Sequence, residues 1–150
     1  HEGRGYTLMT HPVRHPGGAL GYRIGNGNAP RGGLVYISDN ELGESPEYDS
    51  PANWRDELVA FARGASLLVH DTMYTEEEYE AHRGWGHSHY ADVVAFALDA
   101  DVERLALFHH NPDRGDAELD RRLAECRAIV ARRGARLEVV AASEGLTLSI

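Results

Sequence analysis

The sequence predicts an α/β fold in which a sheet is layered against helices. Two observations carry this expectation. Short apolar runs suited to strands alternate with segments whose apolar residues recur at helical spacing. Several of those runs also stop abruptly on Asp or His, as strands do when they reach the rim of a sheet.

The elements follow in chain order. Residues Tyr6–Val13 and 20–24 read as two strands separated by the tight His-Pro-Gly-Gly turn at residues 15–18. A Gly/Asn/Pro loop covers residues 25–33. The apolar strand Leu34–Ile37 then ends at Ser38-Asp39. A polar loop over residues 40–52 leads into a helix marked by Trp54, Leu58, Phe61 and Ala62 and stopped by Gly64. The next strand, residues 66–70, ends on Asp71, and the acidic and aromatic stretch 72–85 carries no assigned element. Ser88 is a suitable N-cap for a helix through Ala100 with Ala91, Val94, Ala95 and Leu98 on one face. A strand over residues 105–108 runs into His109-His110. Residues 116–133 form a helix with Leu119, Leu123, Cys126 and Val130 inward, capped by Gly134. Residues 137–141 and 146–150 complete the set as strands.

Composition limits what the chain can do. The 150 residues suffice for one domain or half of a larger one, and 42% hydrophobic content supplies a core. The apolar runs are too short to cross a bilayer, which argues for no membrane partner. The polar start, residues 1–5, has no signal-peptide character, so the cytoplasm is the expected location. A single cysteine, Cys126, excludes an internal disulfide and a Cys-based zinc cluster. The net charge of −9 argues against nucleic acid as a partner, because non-specific binding needs a positive field.

Nine histidines make a metal site worth seeking. His15, Asp39, Asp71 and His109 all fall just past strand ends, where the sheets of α/β proteins bind ligands. Imidazole and carboxylate suit zinc, manganese or iron, and a carboxylate can bridge two metals. Each residue also has a plainer role. A strand-terminal Asp caps turns, His15 beside Pro16 fits a simple turn, and His87 fits a helix start. His109 after Leu-Ala-Leu-Phe is harder to explain by packing, since a buried imidazole needs a partner.

Five strings in order, His15-Pro-Gly-Gly-Ala-Leu-Gly-Tyr-Arg-Ile, Val35-Tyr-Ile-Ser-Asp39, Leu67-Leu-Val-His-Asp71, Gly86-His-Ser and Leu105-Ala-Leu-Phe-His109, together resemble the C-terminal half of the metallo-β-lactamase superfamily. The similarity is greatest to its ribonuclease Z and cyclic-nucleotide phosphodiesterase branch. It implies that residues 1–150 are the C-terminal half of an αββα sandwich, a mixed sheet with flanking helices. It implies two divalent metal ions, zinc first, with manganese and iron as alternatives. His15 and His109 would each bind one metal and Asp39 would bridge both. His87 would act as general acid, oriented by Asp71.

Two departures stand out. His89 replaces the Thr of the branch's His-Ser-Thr motif, which leaves helix capping to Ser88. The superfamily's His-x-His-x-Asp-His is absent. Its ligands are therefore expected from a missing N-terminal half, on the same or a second chain, and the bare sheet face would favour a homodimer. The implied activity is metal-dependent hydrolysis of a small-molecule phosphodiester, such as a cyclic nucleotide, through a metal-activated water. Only residues 25–38 separate Ile24 from Asp39, too few for the tRNA-gripping arm of ribonuclease Z enzymes. Lactone or thioester hydrolysis and a non-catalytic regulatory module are the alternatives.

Overall fold

In the computed structural model, which describes residues 2–3, 5–25 and 31–150, seven strands form one sheet in the order of the chain. They are β1 (Glu2–Gly3), β2 (Tyr6–Val13), β3 (Ala19–Gly25), β4 (Leu34–Ile37), β5 (Leu67–Asp71), β6 (Arg104–Phe108) and β7 (Glu138–Ala141). Strands β1 to β4 pair antiparallel and β4 to β7 parallel. The β2–β3 turn is built by Pro16 and Gly17. Gly18 N–H donates to the His15 carbonyl at 2.9 Å while Gly17 adopts φ +83°, a backbone state that glycine supplies without strain. Of the 25–33 loop, residues 26–30 lie outside the described residues.

Helices α1 (Trp54–Ala62), α3 (Tyr90–Asp99) and α4 (Asp116–Arg132) connect successive parallel strands, with α2 (Glu76–Ala81) ahead of α3. The three connecting helices α1, α3 and α4 all contribute to one core on one face of the sheet. That face is the core. Val35, Ile37, Leu68, Leu105, Leu107 and Val139 pack there against Leu58, Val94, Phe96 and Cys126. The alternate residues point to the other face, where Leu67 and Ala106 are buried and the C-terminal segment crosses, with Arg104 donating to Ser149 O at 3.1 Å. Leu20, Tyr22 and Ile24 recur there at period two with 46%, 39% and 40% of their surface exposed. The chain is therefore one helix layer on one sheet, whose second face keeps exposed apolar residues on β3.

Local signals explain the helix ends. The last carbonyls of α1 meet the Arg23 guanidinium, which donates to Phe61 O at 2.7 Å and Arg63 O at 3.0 Å. Helix α2 starts with a capping box between Thr75 and Glu78. Its signature, Thr-x-x-Glu, stands in the stretch to which the sequence assigned no element.

Three expectations are corrected. Ser88 is not the N-cap of α3; His89 is, without a side-chain cap, because the Ser88 hydroxyl is bonded elsewhere. The buried stripe of α3 is Tyr90, Val93, Val94, Phe96 and Ala97; of the expected Ala91, Val94, Ala95 and Leu98, Val94 is fully buried and Leu98 packs partly buried against the core, while Ala91 and Ala95 lie to the side. This helix is apolar nearly all round and lies between α1 and α4, so periodicity alone misplaced its face. Residues 146–150 form no strand among the described residues, since no neighbouring edge pairs with them, and Ile150 is 67% exposed. No helix among the described residues is long and apolar enough to cross a membrane.

Candidate active site

The parallel strands deliver their carboxyl ends to one rim. Asp39 lies two residues past β4, Asp71 ends β5, and His109 follows β6 directly. His87 arrives from the loop before α3 and His15 from the β2–β3 turn. Asp39, His87 and His109 each place one ligand-type atom within 4.8 Å of the other two. His109 Nδ1 lies 3.3 Å from Asp39 Oδ1 and 3.7 Å from Asp71 Oδ1. The His15 ring meets the His87 ring edge-on at 5.5 Å between centroids, and the His87 and His109 rings lie 4.7 Å apart.

His109 holds this position through an unusual backbone, φ +53°, a left-handed state that non-glycine residues visit rarely and that tends to occur at functional sites. Its Nδ1 is buried and makes no hydrogen bond, although two carboxylates face it. An orphaned imidazole nitrogen beside two carboxylates is a donor set that suits a divalent cation. The neighbouring His110 turns away, with Nε2 3.2 Å from Ala142 O. Burial lowers the pKa of His110 below the ordinary histidine value.

Asp71 is fully buried. It accepts hydrogen bonds from His87 Nδ1 at 2.8 Å, Met73 N at 3.0 Å and Asn40 N at 3.2 Å. Burial alone would raise its carboxyl pKa. The facing His109 and His87 imidazoles outweigh burial and hold it below the usual carboxylate range. In return the Asp71 carboxylate, with help from Asp39, raises His109 above the ordinary histidine value against its own desolvation. His87 therefore directs Nδ1–H at a carboxylate and leaves Nε2 for the rim. That geometry serves a proton donor and a metal-ligating histidine alike.

Around these residues lies a buried polar shell that sequence reasoning missed. Asn40, Glu41, His70 and Ser88 are all at most 1% exposed. His70 Nδ1 donates to the Asp71 carbonyl at 2.8 Å, and Asn40 Nδ2 donates to His70 Nε2 at 3.2 Å. This pairing and full burial keep His70 neutral, its pKa lowered mainly by desolvation. Ser88 Oγ donates to Asn40 O at 2.6 Å and accepts from Leu42 N at 3.1 Å. Ser88 thus ties the entrance of α3 to the segment after Asp39. Nothing in local sequence marks Asn40 or Glu41, which sit in a polar stretch that reads as exposed loop.

A helix layer on a mixed sheet with a His/Asp rim at the strand ends defines a class, that of α/β domains whose ligands gather where the parallel strands end. Comparison with known proteins gives the family. No family model matches the chain. Ribonuclease Z of Haloferax volcanii is 34% identical over 108 residues, 69% of this chain and 34% of that protein. Ribonuclease BN of Salmonella paratyphi B is 35% identical over 97 residues, 65% of this chain and 32% of that protein. Among solved structures, human tRNase Z, short form, superposes with a TM-score of 0.68 at 17% identity, over 100% of this chain and 45% of its own. The metallo-β-lactamase fold protein YhfI of Bacillus subtilis gives a TM-score of 0.71 at 18% identity, over 97% and 50%. The chain belongs to the metallo-β-lactamase superfamily, in its ribonuclease Z-like branch. It spans about a third of the length of those two curated relatives.

The reading against a nucleic-acid partner is overturned by these relatives, which are ribonucleases by name. The physical reason is that a net charge of −9 sums over a whole segment. A sum over the segment does not report the local field at a binding rim.

Proposed function

We propose that this chain supplies one side of the active site of a metal-dependent phosphodiester hydrolase. The observation that carries the proposal is the His87–Asp71 pair, at 2.8 Å, set beside the Asp39–His109 donor set. Asp39 and His109 would hold metal, with His15 as a further ligand and Asp39 as the bridge. A divalent metal bound there supplies Lewis-acid polarisation of a phosphoryl oxygen and a more acidic water. Zinc suits these donors, as do manganese and iron. Ligands that complete a two-metal site would come from a segment outside these residues, seated against the exposed β3 residues Leu20, Tyr22 and Ile24.

The residues of this chain account for proton transfer. Asp71 accepts from His87 Nδ1 and stabilises the imidazolium charge. His87 Nε2 then gives its proton to the oxygen that leaves phosphorus, a contribution on the order of a hundredfold or more. The P–O bond to the leaving group breaks as the new P–O bond to water forms, and the attacking water gives up one proton to solvent, from which His87 is later reprotonated. The proton of Nε2 ends on the departing alkoxide.

RNA is the substrate class that the ribonuclease relatives favour. A small phosphodiester, such as a cyclic nucleotide, is a second reading favoured by two observations. The interval between Ile24 and Asp39 is short, and a diphosphatase of the PhnP family superposes with a TM-score of 0.60 at 20% identity. Cleavage of a tRNA precursor and of 2′,3′-cyclic AMP by the complete, metal-loaded protein separates the two. Turnover of neither, with metal bound, would exclude phosphodiester hydrolysis and leave lactone or thioester chemistry or a non-catalytic role.

A further inference from the structure

We propose that Glu41 is a positioning residue, a buried carboxylate that clamps the loop carrying His87 so that its imidazole meets Asp71. The proposal rests on the reading of His87 as the proton donor.

Glu41 is fully buried, and both its oxygens are occupied. Oε1 accepts from Tyr79 Oη at 2.7 Å and from Gly84 N at 2.9 Å. Oε2 accepts from Tyr48 Oη at 3.0 Å, Gly84 N at 2.9 Å and Gly86 N at 3.0 Å. None of these donors is a cation. Arg14 and Arg83 are near enough to interact with its charge but neither bonds it, and a buried carboxylate without a direct ion pair is costly. What it does accomplish is local. Two phenols and two peptide N–H groups converge on it, and the peptides belong to the turn immediately before His87.

That turn is built to be held this way. Gly84 and Gly86 adopt φ +84° and +90°, and a Cβ on Gly86 would come within 2.4 Å of His15 Cδ2 and 2.6 Å of Pro16 Cδ. Gly86 therefore presses its bare backbone against His15 while Glu41 grips its N–H from the other side. The next residue is His87, with Nδ1 2.8 Å from Asp71.

The segment that supplies Glu41 serves the site three times. Asp39 faces His109, the Asn40 N–H donates to Asp71 at 3.2 Å, and Glu41 holds Gly86. Three consecutive residues thus fix the donor set, the orienting carboxylate and the proton donor relative to one another. Tyr48 and Tyr79 are part of the device. Burial comes first, and the adjacent Glu41 second, in raising both phenol pKa values well above the ordinary range, so both remain donors.

The test uses Glu41→Gln in the complete protein. In either rotamer the new amide nitrogen confronts the Gly84 N–H, because that N–H contacts both carboxylate positions. Misplacement of a reacting group by about 1 Å can cost on the order of a hundredfold. Turnover is compared on bis(p-nitrophenyl) phosphate, whose leaving group needs no proton, and on an RNA oligonucleotide, whose alkoxide does. We expect kcat on RNA to fall about 10- to 100-fold, with a smaller loss on the aryl ester, unchanged metal content and faster amide exchange at Gly84 and Gly86. His87→Ala should show the same substrate discrimination, more strongly. If His87→Ala discriminates and Glu41→Gln slows both substrates equally or neither, the Glu41 proposal is wrong. If His87→Ala itself slows both substrates equally, the proton-donor reading fails first. Should Glu41→Gln not fold, Tyr79→Phe removes one donor and must give the same pattern at reduced size; no discrimination there overturns the proposal.

Discussion

Asp71→Asn is the perturbation whose consequences follow most fully from the structure. The two carboxylate oxygens do separate work: Oδ2 accepts from His87 Nδ1 and Asn40 N, and Oδ1 accepts from Met73 N. An asparagine retains one oxygen. With its amide nitrogen toward Met73, two buried donors face each other at about the present 3.0 Å separation, a cost of about 1–3 kcal/mol in stability. With the nitrogen toward His87, the imidazole must change tautomer and the Asn40 N–H loses its acceptor. Either way a neutral amide cannot stabilise the imidazolium that a proton donor requires. The expected loss in kcat is on the order of 10²–10⁴, or about 3–5 kcal/mol of transition-state stabilisation. The assay is steady-state hydrolysis of RNA by the complete protein, with metal content measured in parallel and stability followed by urea denaturation. A kcat within threefold of the parent would refute the role of Asp71. Loss of metal would make Asp71 a ligand instead.

Three further outcomes are expected. Gly86→Ala should reduce turnover at least tenfold with a modest loss of stability, since the added methyl would fall 2.4 Å from His15 Cδ2 on a backbone at φ +90°; parental kinetics would mean that the turn is not confined. His70 is held neutral, so as pH falls through about 6.5 the unfolded chain takes up a proton that the native state refuses. Stability should therefore fall on acidification by up to about 1.4 kcal/mol per pH unit, and His70→Gln should flatten that slope between pH 6.5 and 5 in stepped urea melts; an unchanged slope contradicts the assignment. Burial pushes the Cys126 thiol up to about 12, so iodoacetamide at pH 8 should leave it unmodified in the native protein and alkylate it in urea, as read by peptide mass spectrometry.

The strands were legible because each is a short apolar run cut off by a polar residue. Leu34–Ile37, Leu67–Asp71 and Arg104–Phe108 announce themselves this way, and their ends place Asp39, Asp71 and His109 on one rim without further information. The face each helix buries was less legible. In α3 almost every residue is apolar, so only the neighbours α1 and α4 decide that Val93 and Ala97 go inward. Helix α2 could have been read from Thr75-x-x-Glu78. The clamp at Glu41 could not, because it depends on Tyr79, Gly84 and Gly86, which lie 38 to 45 residues away. The left-handed backbone of His109 has no local sequence signal either. The reading against a nucleic-acid partner rested on net charge, a quantity that reports on a whole surface and not on a site.

The central claim is that Asp39 and His109 hold metal while His87 moves a proton. The metal content of the complete protein and of its His109→Ala and His87→Ala variants, measured by plasma mass spectrometry after gel filtration, tests it directly. His109→Ala should lose at least one bound metal per chain, and His87→Ala should retain the parental stoichiometry while turnover on RNA falls by two or more decades. Loss of metal from His87→Ala, with retention in His109→Ala, would contradict the division of roles.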